Sequence, residues 1–112
     1  MIRSGGRERI VLVTAGSMAE AQKLARSVVL KQLAACVNVV HSPVESVYWW
    51  KGRVERAREY LMIMKTTSAR LEALEREVAR LHRYEVPEFV VLRIAGGSKK
   101  YLQWMRESTV RK

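Results

Sequence analysis

The sequence predicts an α+β fold: one antiparallel sheet, two helices packed on one of its faces, and a short helix at the C-terminus. Two observations carry this reading. Short β-branched runs alternate with two stripes of helical period, in the order strand, helix, strand, strand, helix, strand. Serines that can cap and glycines that can terminate stand at the expected starts and stops. The chain has 112 residues, which is one core's worth and too few for two. Residues 1–8, with Ser4, Gly5, Gly6 and three charged side chains, read as a flexible lead-in, and residues 9–112 as a single domain.

Ile10 to Thr14 reads IVLVT, a short apolar strand covered on both faces. Gly16 ends it, and Ser17 with Glu20 forms a capping box, so a helix starts near Met18. Ala21, Leu24, Ala25, Val28, Val29 and Leu33 make its apolar stripe. Cys36 to Val40 is the second strand, which Pro43 interrupts because proline cannot donate to a ladder. Glu45 to Trp50 resumes it, Lys51-Gly52 turns, and Val54 to Thr67 runs back. Within that return, Tyr60 to Met64 is apolar at every position, as a central strand requires. Leu71, Leu74, Val78 and Leu81 define the second helix, with Ser68 as its cap and Glu77 on the polar side. Tyr84 to Pro87 is a loop, since Pro87 steers Val86 away from helix. Glu88 to Ile94 is the last strand. Gly96-Gly97 break it, and Ser98 caps the terminal helix carrying Tyr101, Leu102, Trp104 and Met105. The order β-α-β-β-α-β is the split, ferredoxin-like plan.

Composition excludes several functions. Lys and Arg total 21 against 11 acidic residues, a net charge of +10, which raises nucleic acid as a partner. Yet there is no RNP-like motif and no recognition helix, so general phosphate attraction is expected and specific nucleic-acid binding is not. Every acidic residue is Glu, which removes the Ser-His-Asp triad and Asp-based magnesium and calcium sites. A Glu- and Arg-rich surface is also a heat-adapted style. One cysteine, Cys36, permits no intrachain disulfide and no four-cysteine or two-cysteine, two-histidine zinc site, and it suits a reducing cytoplasm. The apolar runs are far short of the ~20 residues that cross a bilayer, and no signal-peptide core is expected, so membrane insertion is not. No P-loop, G-x-G-x-x-G, G-x-S-x-G or H-E-x-x-H occurs, so the chain reads as non-enzymatic.

Two helices cover only one face of such a sheet. Tyr48, Trp49 and Trp50 are consecutive and therefore point to alternating faces, and the 60–64 run is equally two-sided. Apolar surface of that extent on a lone chain invites aggregation. Burial against identical copies removes it, so a homo-oligomer is expected.

Four stretches then carry a family resemblance: Leu33-Ala34-Ala35-Cys36-Val37-Asn38, Ser46-Val47-Tyr48-Trp49-Trp50, Lys65-Thr66-Thr67 and Tyr84-Glu85-Val86-Pro87-Glu88. In order and spacing they resemble the CutA family of divalent-cation tolerance proteins, over residues 9–110. The resemblance implies a stable cytoplasmic homotrimer of ferredoxin-like subunits, linked to copper or other divalent-metal tolerance. It also implies a likeness in plan to PII-type signalling trimers, which hold small effectors between subunits. Some bacterial members carry a first-strand Cys and a His-His pair proposed as metal ligands. Here those positions hold Val13 and Leu81-His82, and Arg83 replaces the proline that follows.

The candidate metal residues are His82, at the end of the second helix, and Glu85. A copper or zinc site there would need further partners, with a capping histidine as the alternative. No resident cofactor is required. Lys65, Tyr84, Glu85 and Glu88 are expected near one sheet margin, with Trp50 or Trp104 as a wall, to hold a small anionic or metal-bound ligand or to form intersubunit ion pairs. Cys36, Met62 and Met64 read as packing residues.

Overall fold

A computed structural model describes residues 1–110. The elements are β1 (Ile2–Ser4), β2 (Glu8–Ala15), α1 (Met18–Leu30), β3 (Cys36–Val39), β4 (Val44–Trp50), β5 (Arg53–Thr67), a 3-10 turn (Ser68–Arg70), α2 (Leu71–Leu81), β6 (Val90–Arg93), β7 (Gly96–Ser98) and α3 (Lys99–Glu107). The main sheet runs β3-β5-β2-β6, all antiparallel, with β4 paired to the first half of β5. This is the ferredoxin-like order the sequence predicts. β5 is central, and its fifteen residues serve β3 at one end and β4 at the other, which is how a strand broken near Pro43 still makes one hairpin.

Side-chain alternation assigns the two faces. Val11, Val13, Ala15, Met62 and Met64 are fully buried against Leu24 and Val28 of α1 and Leu74 and Val78 of α2. Cross-strand partners share a face. Pairings of Leu12 with Ile63 and Val90, of Thr14 with Leu61, and of Ile10 with Leu92 therefore define the opposite side. There α3 covers only the end near Lys65 and Thr67, with Thr109 Oγ1 3.3 Å from Thr67 Oγ1. Leu12, Leu61 and Ile63 stay half-buried, and Val90 and Leu92 are 45% and 44% exposed.

Ser17 caps α1 as expected, its Oγ accepting the Glu20 N–H at 3.1 Å. Glu20 returns to the N–H of Gly16 at 3.3 Å, one residue before the cap. Ser98 caps α3 through the Tyr101 N–H at 3.1 Å. Three expectations differ from the structure. The lead-in at 1–8 is not free: Ile2–Ser4 pairs with Gly96–Ser98, and Glu8 is buried at the start of β2. Glycines allow this close approach, since a Cβ on Gly96 would lie 2.8 Å from the Arg3 carbonyl oxygen, and one on Gly5 would overlap that of Ile94. Glu8 Oε1 accepts the Gly6 N–H at 2.9 Å, and Arg106 Nε of α3 lies 3.4 Å from Oε2, tying both ends of the chain together. The last strand is shorter than 88–94, and Ser68 opens a 3-10 turn with no side-chain cap on α2.

Glu77, expected on the polar side of its helix, is buried between the two helices. Its carboxylate accepts Arg80 Nη2 at 2.7 Å, Ser27 Oγ at 2.7 Å and Lys31 Nζ at 2.9 Å. The Arg80 and Ser27 hydrogen bonds hold this carboxyl far below its usual range. A depressed folded-state value gives stability that is present above the unfolded carboxyl's value and lost as pH falls through the folded one. Glu77→Gln is therefore expected to cost about 1–2 kcal/mol at pH 7. In urea titrations from pH 7 down to pH 2 the gap from the parent should shrink steadily below pH 4. A gap that holds constant with pH would contradict the charged network.

Candidate functional site

The β4–β5 hairpin builds one wall of the site. Lys51 and Gly52 both have left-handed φ, 52° and 78°, so the turn is a tight two-residue one and fixes Trp50 opposite Arg53. From that register Tyr48 faces Glu55, Ser46 faces Ala57 and Val44 faces Glu59. Trp50, Tyr48, Ser46 and Glu59 thus share one face of the hairpin.

The loop after α2 builds the other wall, and His82 anchors it. His82 ends α2 and is buried. Its Nε2 is 2.7 Å from the Thr14 carbonyl, which can only accept, so Nε2 carries the proton. Nδ1 then accepts the Tyr84 N–H at 3.0 Å. Glu20 Oε2 accepts the Arg83 N–H at 2.8 Å and lies 3.7 Å from Nδ1, and the Tyr84 ring rests against the imidazole at 4.7 Å between centroids. These contacts turn the chain so that Tyr84 to Glu88 faces the hairpin.

Between the walls is a cavity of about 770 Å³, floored by Thr14 and lined by Ser46 to Trp50, Glu59 and Tyr84 to Glu88. Thr14 Oγ1 donates to Glu59 Oε2 at 3.2 Å. Burial, then the hydrogen bond to the Glu59 carboxylate and its charge, push the Tyr84 phenol up to about 12. Burial, and then the charge of Glu59, also push Glu88 above its usual value.

Of the residues expected at a ligand site, Trp50, Tyr84, Glu85 and Glu88 meet at this cavity. Lys65 does not. It stands on β5 opposite Ile10 and Cys36, with Nζ 5.5 Å from the centroid of the Tyr101 ring in α3. Trp104 also belongs to α3, stacked at 5.3 Å on Tyr101. Both ring nitrogens of His82 are committed to backbone groups, so a metal ion would have to break one of those bonds and release the loop. Among the described residues no three His, Cys, Asp or Glu side chains are placed to share an ion. The donors that a divalent-metal site would need from His82 and Glu85 are therefore not assembled within one chain. Glu59, Thr14 and Tyr48 were not anticipated at the site. The register implied by a two-residue turn at Lys51-Gly52 was the one signal that places Glu59 and Tyr48 beside Trp50.

Comparison with known proteins agrees with this architecture. The family model for the CutA1 divalent ion tolerance protein matches residues 9–108. The divalent-cation tolerance protein CutA of Thermus thermophilus is 43% identical over 102 residues, which is 91% of this chain and 98% of that protein. Its solved structure superimposes with a TM-score of 0.89 over 92% of this chain and 99% of the other. The structure described as the periplasmic CutA of Archaeoglobus fulgidus gives 0.88 at 36% identity, covering 92% and 99%. The chloroplastic CutA 1 of Oryza sativa is 45% identical over 89% of this chain and 56% of its own length. The chain thus spans about half the length of the plant relatives it matches. No described helix is long and apolar enough to cross a membrane.

Proposed function

Since this chain belongs to the CutA1 divalent ion tolerance family, we propose that it acts in divalent-cation tolerance as a non-enzymatic homotrimer that holds a small ligand in the hairpin–loop cavity. One observation carries the ligand part: Trp50, Tyr84, Glu85 and Glu88, contributed by a strand and a distant loop, converge on one cavity of about 770 Å³. That volume is in the range of small-molecule sites and far larger than one ion needs. The trimer is supported by the half-exposed apolar face of Leu12, Leu61, Ile63, Val90 and Leu92, and by Trp49, which is 73% exposed on the hairpin.

The family's name points to copper or another divalent ion, and this reading makes the protein a responder rather than a metal store in His82. Calorimetric titration of Cu(II), Cu(I) and Zn(II) into wild type and His82→Ala is the test. Equal, weak binding by both proteins is expected. Tight stoichiometric binding that His82→Ala abolishes would overturn it. The cytoplasmic placement belongs to the same proposal, while relatives carry chloroplastic and periplasmic descriptions.

A further inference from the structure

The cavity's charge runs against that of the protein. The chain carries +10 overall. Among the described residues, the charged groups lining the cavity are all carboxylates, Glu59, Glu85 and Glu88, with no Lys or Arg. The key member is Glu59, which is only 6% exposed. Four glutamates are buried in the described structure: Glu8, Glu20, Glu59 and Glu77. Two have a cation beside them: Glu8 has Arg106 at 3.4 Å, and Glu77 has Lys31 and Arg80 at 2.9 and 2.7 Å. Glu20 lies beside the neutral His82 and instead accepts the backbone N–H groups of Gly16 and Arg83 at 3.3 and 2.8 Å. Glu59 has only the hydroxyls of Thr14 and Tyr84, and no basic group within ion-pair distance among the described residues. A buried carboxylate without a cation is costly unless something supplies one. This is also the buried glutamate that lines a cavity.

The walls fit the same conclusion. Tyr48, Trp50 and Tyr84 present aromatic rings, and the Trp50 ring already has a cation near it, Lys51 Nζ at 5.6 Å from its centroid. Aromatic faces attract ammonium groups, more strongly as water is excluded. The volume leaves room for an organic body as well as a charge. Among the described residues no three His, Cys, Asp or Glu side chains converge, which disfavours a bare divalent ion held by one chain.

We propose that the cavity takes a small organic cation, an alkyl- or arylammonium whose nitrogen is held by Glu59 and Glu88 while its apolar part lies between Trp50 and Tyr84. This rests on the ligand-binding reading above and names the class of ligand. It replaces the anionic ligand that the lysine-containing set suggested, because Lys65 is not at the cavity.

Three probes of one shape and different charge test it: benzylammonium, benzyl alcohol and benzoate at constant ionic strength. The readout is Trp49 and Trp50 fluorescence in a Trp104→Phe background. Benzylammonium is expected to bind saturably and at least ~10-fold more tightly than benzyl alcohol, about 1.4 kcal/mol, with benzoate weakest. Glu59→Gln should reduce benzylammonium to the level of the alcohol and leave the alcohol unchanged. Glu88→Gln, at an exposed position that the fold tolerates, should weaken the amine several-fold. Equal affinity for all three probes, or amine binding indifferent to both substitutions, overturns the cation assignment and leaves the cavity as a ligand site. If no probe of any charge perturbs the two tryptophans, the cavity itself fails as the ligand site.

Discussion

Ile63→Glu is expected to convert the proposed trimer into monomers of 12.9 kDa. Ile63 sits mid-sheet on β5, opposite Leu12 and Asn38, on the face that α1 and α2 do not cover. In the lone chain it is half-buried, so a glutamate there keeps access to water and the helix-side core of Val11, Met62 and Met64 is untouched. Within a subunit interface the same carboxylate would be desolvated with no partner, at a cost of several kcal/mol per subunit. Symmetry repeats the defect in every copy. Leu92→Glu, on the edge strand β6 and on the same face, should act alike with less effect on the sheet's centre. Light scattering at micromolar concentration reads both. Retention of the parent's mass by both variants would show that this face is not what joins the copies.

Leu24→Ala should lower unfolding free energy by about 3 kcal/mol. Leu24 is fully buried in the middle of α1, packed on Val11, Val13 and the methionines of β5. Removing its branched end leaves a void bounded by two strands and a second helix, which cannot all close in. Alanine has the higher helix propensity, so the loss is packing and not helix formation. Because the proposed assembly would couple stability to concentration, parent and variant are compared by urea unfolding at equal concentration. A cost below about 1 kcal/mol would mean that α1 does not seal the core as described.

Much of this was legible in the sequence, for identifiable reasons. The capping serines at 17 and 98, the doubly apolar 60–64 run and the glycine turn at 52 each state a local rule that the tertiary structure obeys. What the sequence does not show lies where a residue's surroundings depend on something distant in sequence. Gly96 and Gly97 terminate one strand, but only the approach of Ile2–Ser4 makes them a second. Glu77 looks solvated on its own helix and is buried because Ser27 and Lys31 of another helix meet it. His82 looks like a ligand by composition, yet it is occupied by the carbonyl of Thr14, 68 residues away. Trp50, Tyr84, Glu85 and Glu88 line one cavity because the hairpin and the loop after α2 face each other. Glu59 was missed because a single acid at the edge of an apolar run carries no mark of the unpaired charge it becomes.

Identical copies of this chain are proposed to cover the sheet face left open by α1, α2 and α3. Sedimentation equilibrium of the wild-type protein over a range of micromolar concentrations tests it most directly. The account predicts a single species of three times the 12.9 kDa chain mass at every concentration. A well-folded species at the chain mass itself would contradict it.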